Sequence, residues 1–203
     1  ARRGRGDEIH ENNQQEQIAR CERFPSEIKQ IIVGVISDTH GLLRPEAVGP
    51  LRGSDYIIHA GDVGDAEIVK QLNAIAPLTA VRGNVDREPW ARKLPETQVL
   101  EAGGISIYIL HSVADLDLKP EAAGFAAVVS GHSHIPKQEV RNGVLYFNPG
   151  SAGPRRFKLP VSVGRLVIQG GKVRGEIMEL LNSLQSSVFG RGRRSLVVRT
   201  PQI

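Results

Sequence analysis

Short apolar runs, most of which end in a polar segment with Gly beside Asp, His or Asn, constrain the fold of this chain most strongly. The first run, residues 31–37, is β-branched and does not alternate, as expected of a strand buried on both faces. Residues 55–60, 78–82 and 126–130 have the same character, and residues 66–75 have the apolar spacing of a helix. Strands that alternate with helices predict a sheet with parallel strands.

Glycine-containing turns between further apolar runs predict hairpins in the second half of the chain. These turns lie at Gly103-Gly104, Asn142-Gly143 and Gly170-Gly171. Hairpins add antiparallel pairs to an otherwise parallel arrangement. We therefore expect an α/β protein built of mixed sheets, rather than a purely doubly wound fold.

The two ends of the chain differ in composition from the central part. Residues 1–28 are polar without a sustained apolar period, and residues 182–203 contain four Arg and no acidic residue. We predict one domain over 29–181, a flexible or appended segment before it and a basic tail after it. The formal net charge of +4 lies in the tail. Because the rest of the chain is formally neutral, extended nucleic-acid binding is not expected.

The cysteine count and the hydropathy exclude several classes of protein. Cys21 is the only cysteine, which rules out an intramolecular disulfide framework and a thiolate-rich zinc site. No run approaches the roughly 18 apolar residues that a membrane-spanning helix needs. Residues 1–17 lack the apolar core of a signal peptide. We expect a cytoplasmic protein with no membrane association.

Side chains that can bind metal ions follow five of the predicted strands. They are Asp38 and His40, Asp62, Asn84, His111, and His132 and His134. Loops after the carboxyl ends of strands in an α/β sheet meet at one crevice, so these groups can come together. Oxygen and imidazole donors suit divalent Mn, Fe, Zn, Co or Ni. The spacings Asp-x-His and His-x-His place both members on one side of an extended segment, and one carboxylate can bridge two ions.

Each motif alone also has an ordinary structural explanation. Asp38 could cap a helix, Asp62 and Asn84 could be turn residues, and the histidines of 132–134 could be an exposed pair. The motifs occur in order at successive strand ends. This order favours a common site over several unrelated roles.

Four further residues near these motifs have candidate roles. His59 lies inside an apolar strand, where a buried structural role is favoured over a contact to a metal ligand. Asp86 is expected to orient neighbouring loops or a ligand histidine. Arg155 and Arg156 could reach a substrate phosphate, or could be a solvated basic pair.

The motifs resemble those of the calcineurin-like metallophosphoesterase superfamily, and in particular its small single-domain bacterial and archaeal phosphodiesterases. The superfamily pattern is D-x-H, G-D, G-N-x-[D/E], an isolated H, and G-H-x-H. This chain matches it over residues 31–180, at Asp38-Thr39-His40, Gly61-Asp62, Gly83-Asn84-Val85-Asp86, His111 and Gly131-His132-Ser133-His134, followed by Asn148-Pro149-Gly150-Ser151.

The resemblance implies a four-layer α/β/β/α sandwich of two mixed sheets flanked by helices, with two divalent metal ions at the common edge of the sheets. Manganese is the first expectation, with Fe, Zn, Ni or Co as alternatives. The implied ligands are Asp38, His40 and His134 for one ion, Asn84, His111 and His132 for the other, and Asp62 for both.

The implied activity is that of a metal-dependent phosphoesterase, in which a hydroxide shared by the two ions attacks phosphorus. Its implied catalytic residues are Asp62, Asn84 and His132, and Asn84 and Arg155 are the candidates for substrate binding. The superfamily has a histidine, the expected leaving-group acid, where this chain has Val85. This replacement favours phosphodiesters with good leaving groups over alkyl monoesters.

A second departure from the pattern concerns the isolated histidine. In the superfamily this residue is usually followed by Gly-His, whereas His111 is followed by Ser112-Val113. The ligand itself is retained. What the second histidine does for access of substrate or metal is therefore in doubt here.

The expected partner is a small phosphoester or a nucleotide, and the oligomeric state is left open, with a homodimer as one alternative. The rival function from another class is a non-catalytic scaffold that binds proteins, because the retromer scaffold subunit has this fold. That subunit lacks several of the ligands. All seven ligand positions are filled in this chain, which favours the phosphoesterase.

Overall fold

Two five-stranded sheets form the body of the protein in the computed structural model, which describes residues 30–180. In chain order the strands are β1 (Ile31–Ile36), β2 (Tyr56–His59), β3 (Leu78–Ala80), β4 (Thr97–Ala102), β5 (Ile105–Leu110), β6 (Phe125–Val129), β7 (Lys137–Arg141), β8 (Val144–Asn148), β9 (Ser162–Gln169) and β10 (Lys172–Glu179). The helices are α1 (Pro45–Leu51) and α2 (Ala66–Asn73), with short 3₁₀ helices at Ala91–Lys93 and Val113–Asp115. The predictions made for 1–28 and 182–203 concern residues outside the described range.

The strand order places the functional loops at the carboxyl ends of parallel strands. The first sheet has the order β10-β9-β1-β2-β3, in which β1, β2 and β3 are parallel and β9 is antiparallel to β1. The second has the order β4-β5-β6-β8-β7, in which β5, β6 and β8 are parallel between two antiparallel edge strands. The loops after β1, β2, β3, β5 and β6 carry the predicted metal ligands.

All three predicted hairpins are present, as the antiparallel pairs β4–β5, β7–β8 and β9–β10. In the second hairpin, Asn142 and Gly143 have φ values of 49° and 80°. A tight two-residue turn between twisted strands requires this left-handed backbone at both positions, and Asn and Gly tolerate it best. Because the turn chemistry is local, the sequence alone predicts these hairpins.

The main hydrophobic core lies between the two sheets. Val33 and Val35 of β1 are fully buried in it. Ile36 of the same strand faces the other way and packs with Leu51 of α1 and Leu72 of α2. The strand β1 is thus buried on both faces, as its continuous apolar sequence predicts.

The two helices cover the first sheet and differ in how well the sequence predicts them. The helix α2 begins at the N-cap Asp65, whose carboxylate accepts a 2.8 Å hydrogen bond from the N–H of Glu67. The helix α1 was not predicted, because it has only seven residues, has no side-chain N-cap bond and contains Pro50. Burial of Ala47 and Leu51 against the first sheet stabilises it.

The outer face of the second sheet is covered by the loop that follows β5. Leu116 and Leu118 of this loop pack on Tyr108, Leu110 and Val128. Within residues 30–180 this layer contains a 3₁₀ helix rather than an α-helix. The predicted α/β sandwich of two mixed sheets is confirmed. No helix in the described part of the chain is long and apolar enough to cross a membrane.

Candidate metal centre

Three of the predicted ligands form a first cluster at the edge shared by the two sheets. Nε2 of His134 lies 3.3 Å from Oδ1 of Asp38 and 3.2 Å from Nε2 of His40. One donor atom from each of the three side chains lies within 4.8 Å of the other two. Asp38 and His134 are buried, and His40 is partly exposed. The first cluster is therefore a compact group of one carboxylate and two imidazoles.

The second cluster is centred on Asn84. Its Oδ1 lies 3.0 Å from Nε2 of His111 and 3.1 Å from Nδ1 of His132. His111 is buried, whereas Asn84 and His132 are exposed. The second cluster is therefore open to solvent on one side.

Asp62 lies between the two clusters. Its Oδ2 is 3.4 Å from Nε2 of His111 and 3.9 Å from Nε2 of His40. Its other oxygen, Oδ1, accepts a 3.0 Å hydrogen bond from the backbone N–H of Val85. One carboxylate oxygen thus faces both clusters while the other is held by the backbone. The structure brings all seven predicted ligands together.

Asp38 tests whether a cation fits the first cluster. Its Oδ2 accepts hydrogen bonds from the hydroxyl of Ser37 (2.7 Å) and from the N–H of His132 (3.2 Å). Its Oδ1 is buried and has no hydrogen-bond partner within the described residues. A buried carboxylate oxygen without a partner is costly, and this one faces two imidazole nitrogens. A divalent cation satisfies all three donors at once.

The tautomer of His111 shows that a cation also fits the second cluster. Its Nδ1–H donates a 2.8 Å hydrogen bond to the carbonyl of Ala60. In the neutral ring Nε2 is then a lone-pair acceptor, and it faces the acceptors Oδ1 of Asn84 and Oδ2 of Asp62. In this neutral form three acceptors converge without a donor between them, which fits a metal ion, whereas the protonated ring donates from Nε2 to Asp62 instead. A carbonyl on the far nitrogen is the usual way to orient a ligand histidine.

Burial and contacts with neighbouring groups shift the pKa values of Asp62, His111 and His40 in opposite directions. Burial raises the pKa of Asp62, but hydrogen bonds from His111 and from Val85 N–H outweigh it, so the pKa lies below its ordinary value. Burial lowers the pKa of His111, but its contacts with Asp62 and Ala60 leave that pKa raised. For His40, burial outweighs the attraction of Asp62 and Asp38, so its pKa is lowered. Asp62 is thus charged at neutral pH and available to a cation.

Five of the predicted ligands have left-handed backbone. Asp38, His40, Asp62, His132 and His134 have φ values of 54°, 46°, 55°, 67° and 58°. The sequence-based expectation of extended Asp-x-His and His-x-His segments is therefore wrong. His132 and His134 lie in different clusters, whereas Asp38 and His40 share one. Left-handed residues other than Gly cost about 1–3 kcal/mol each and persist where their surroundings fix them.

Asp86 holds the loop that carries Asp62. Its carboxylate accepts hydrogen bonds from the N–H groups of Gly83 (2.9 Å), Val63 (3.1 Å) and Gly64 (2.8 Å). A Cβ on Gly83 would lie 2.1 Å from Oδ1 of Asp62. Only glycine at position 83 therefore lets the loop after β3 approach that carboxylate so closely. Asp86 orients the loops, as expected, and makes no hydrogen bond to a ligand histidine in the described residues.

His59 joins the loops after β1 and β2. The N–H of Gly61 donates to Nδ1 of His59 (3.2 Å), so the proton is on Nε2, which donates to Oγ1 of Thr39 (2.9 Å). The hydroxyl of Thr39 in turn donates to the carbonyl of Val63 (2.8 Å). Burial lowers the pKa of His59 to about 4, so the ring is neutral at pH 7. His59 has the buried structural role that the sequence favoured.

Two residues with no role in the sequence-based prediction hold loops of the centre, Asn148 the loop after β6 and Ser151 the loop after β1. Nδ2 of Asn148 donates to the carbonyl of Gly131 (2.6 Å) and to Oγ of Ser133 (3.2 Å). The hydroxyl of Ser151 donates to the carbonyl of Asp38 (3.0 Å). The only signal for them was that Asn148-Pro149-Gly150-Ser151 matches the superfamily pattern.

The two candidate substrate-binding arginines are placed differently. Nη2 of Arg156 lies 3.4 Å from Nε2 of His40, and its side chain is exposed. Arg155 is also exposed, but makes no hydrogen bond in the part of the chain that the structure describes. The structure thus brings Arg156, and not Arg155, to the first cluster.

A two-sheet α/β sandwich with Asp, His and Asn side chains at one shared edge is the arrangement expected of a metal-dependent phosphoesterase. The sequence profile of the calcineurin-like phosphoesterase superfamily domain matches residues 31–171. The chain belongs to this superfamily, and the predicted resemblance is confirmed. Divalent metal ions are the cofactors of this family. Two sets of side chains here have donor atoms close enough to hold one: Asp38 with His40 and His134, and Asp38 with Asp62 and His111.

Among similar proteins, a probable metallophosphoesterase of Methanocaldococcus jannaschii is 36% identical over 134 residues, which cover 60% of this chain and 68% of that protein. Phosphodiesterase YfcE of Escherichia coli (strain K12) is 29% identical over 161 residues, covering 64% of this chain and 84% of YfcE. The structure of vacuolar protein sorting 29 from Cryptosporidium parvum superposes with a TM-score of 0.65 at 23% identity, covering 75% of this chain and 93% of that one. This last similarity shows the fold alone.

Proposed function

We propose that the protein is a phosphodiesterase with two metal ions at its centre. The observation that carries the proposal is the position of Asp62, whose Oδ2 faces both clusters at 3.4 and 3.9 Å. Membership of the superfamily supports a phosphoesterase, and the name of the YfcE relative supports the diesterase.

Asp38, His40 and His134 would hold one ion, and Asn84, His111 and His132 would hold the other, with Asp62 shared between them. Manganese suits this donor set. When bound, divalent ions would make a water acidic enough to supply the nucleophile, and would offset the charge that develops on the phosphoryl oxygens.

The residues of the chain would then position the phosphate. Asn84 is an exposed member of the second cluster, and its amide N–H can donate to a phosphoryl oxygen. The exposed guanidinium of Arg156 lies beside the first cluster and matches the geometry of a phosphate. Arg155, one residue away, remains a candidate for a more distant phosphate oxygen. Val85 has no proton to give, so the leaving oxygen would take its proton from His132, which is exposed, from water, or from no group of the chain.

A non-catalytic scaffold is the rival function. It is suggested by the similarity to vacuolar protein sorting 29, which extends to the fold alone. The scaffold needs no metal centre. The complete set of seven converging side chains therefore favours the phosphodiesterase.

Metal analysis of Asp62→Asn tests the proposal. Protein purified without added metal should contain about two divalent ions per chain and hydrolyse bis(p-nitrophenyl) phosphate with Mn²⁺. Asp62→Asn should lose at least one ion and most of the activity, because a neutral amide does not offset two cations. Asp65→Asn is the matched control, since Asp65 is an exposed N-cap and Asn caps equally well. Full metal content and unchanged turnover in Asp62→Asn would overturn the proposal.

A further inference from the structure

A groove with a volume of about 340 Å³ opens beside the metal centre, along the second sheet. His132, which belongs to the second cluster, and Tyr146 of β8 both line it. Small-molecule sites occupy clefts of roughly 300–1,000 Å³. The groove is therefore large enough for an organic group, and it is continuous with the place where a phosphate would bind.

The groove has exposed apolar side chains from two different loops. Val113 is 45% exposed and Ile135 is 51% exposed. The hydroxyl of Ser112 accepts a 3.3 Å hydrogen bond from the N–H of Ala114 and so caps the 3₁₀ helix that carries Val113. Exposed apolar side chains that line a cleft next to a polar centre are typical of a ligand site.

The charges in the groove are paired with one another. Nζ of Lys137 lies 3.1 Å from Oε2 of Glu139, and Arg141 forms an ion pair with the same carboxylate. The guanidinium of Arg141 also lies 4.7 Å from the centroid of the Tyr146 ring. The local net charge is one positive, which suits an anionic substrate, and Glu139 is neutralised by two neighbours.

We propose that this groove binds the aromatic group of the phosphodiester, as an aryl or nucleoside ester, while the phosphate lies at the metal centre. The proposal rests on the proposed function and adds a substrate class to it. A methyl or other small alkyl ester would leave most of the groove unfilled. A flat aromatic group can contact Val113, Ile135 and the Tyr146 ring while its phosphate stays beside His132.

Kinetics of the full chain with Mn²⁺ test the proposal through Val113→Ser and Ile135→Ser, which remove apolar surface without adding charge. Each should raise KM for bis(p-nitrophenyl) phosphate about fivefold and leave kcat within about twofold, because binding of the organic group is lost while the centre is intact. Val140→Ser is the matched control, since Val140 is 69% exposed and lies outside the groove. The Ki of inorganic phosphate, which has no organic group, should be the same in all four proteins.

Binding without metal gives a readout that does not depend on activity. In the full chain without metal, 4-nitrophenol or adenosine should shift the methyl resonances of Val113 and Ile135 and leave those of Val140 in place. A response to adenosine identifies a nucleoside ester, and a response to 4-nitrophenol alone identifies a simple aryl ester. No shift with either probe would overturn the proposal.

The two proposals fail in different ways. If no phosphodiester is hydrolysed but the methyl groups still shift, the proposed function is wrong and the groove still binds aromatic groups. If hydrolysis proceeds and the groove variants match Val140→Ser, the groove proposal alone is wrong. A rise in the Ki of phosphate equal to the rise in KM would place the effect at the centre and would also overturn it.

Discussion

The backbone N–H of Val85 donates a 3.0 Å hydrogen bond to Oδ1 of Asp62, so the residue at the position of the superfamily's acid also holds the carboxylate that faces both clusters. The side chain of Val85 is not part of this bond and is 44% exposed. Its replacement therefore changes the chemistry beside the centre without removing the support of Asp62.

The first prediction concerns leaving-group protonation. Wild-type protein with Mn²⁺ should have a higher kcat/KM for aryl diesters than for alkyl monoesters, because valine has no proton to donate to a strongly basic alkoxide. Val85→His should raise the alkyl monoester rate relative to the diester by about tenfold or more, since a positioned acid supplies about 10²–10⁴-fold. Val85→Gln is the control of similar polarity that cannot act as an acid. A wild-type enzyme faster on alkyl monoesters would mean that another residue, His132 first, is the acid.

The second prediction concerns stability against pH. The pKa of His59 is about 4 in the folded protein and about 6.5 in the unfolded chain. Between these values the unfolded state binds the extra proton, so the free energy of unfolding falls as the pH drops from 6.5 to 4, by an amount of order 3 kcal/mol. In His59→Gln the glutamine amide still offers polar groups to Thr39 and Gly61, but it does not titrate.

Urea unfolding at pH 7 and pH 5 measures this effect in metal-free protein. The loss of stability between the two pH values should be smaller in His59→Gln than in wild type. An equal loss in both proteins would show that His59 is not the group that titrates on unfolding.

The third prediction concerns Asp38 and metal removal. Oδ1 of Asp38 is buried without a hydrogen-bond partner in the described residues. Asp38→Asn should then leave the metal-free protein as stable as wild type, or stabilise it by up to about 1 kcal/mol, because an amide can donate to Nε2 of His134. With Mn²⁺ the order should reverse, since the wild type binds the ion more tightly.

Thermal unfolding with EDTA and with Mn²⁺ measures this reversal. Asp65→Asn should respond to Mn²⁺ as the wild type does. A variant that is less stable than wild type to the same extent in both conditions would contradict a metal-binding role for Asp38.

The fourth prediction concerns the ends of the chain. Both faces of the first sheet and the core between the sheets are filled by residues of 30–180. A chain limited to residues 29–181 should therefore fold cooperatively and bind metal. Loss of soluble expression on trimming would mean that one end packs on the domain.

The sequence predicts strands and ligand types better than it predicts local backbone. Hydrophobic runs and glycine-containing turns act locally, which is why the three hairpins and α2 are predicted correctly. The helix α1 is held by tertiary packing of Ala47 and Leu51, and no local signal outweighs its Pro50. Expectations for the natural substrate, the oligomeric state and the cellular location stay predictions.

The geometry of the site was the other part beyond the reach of the sequence. The motif order predicts that Asp38 and His134 belong to one site, but not that their contact is 3.3 Å. The supporting roles of Ser37 and Asn148 depend on hydrogen bonds of their side chains, to the neighbouring Asp38 and to the distant Gly131. Serine and asparagine have so many other uses that their identity alone predicts none of this.

The left-handed backbone at five of the candidate ligands limits how this centre can be redesigned. Glu and Cys are good metal ligands, yet Asp, Asn and His are the side chains most enriched in left-handed backbone after Gly. Each ligand residue must therefore meet two requirements: its side chain must suit the ion, and its backbone must tolerate the left-handed conformation. Changing the ion by exchange among Asp, Asn and His should keep the loops in place, whereas introducing Glu or Cys would require the supporting loops to be rebuilt first.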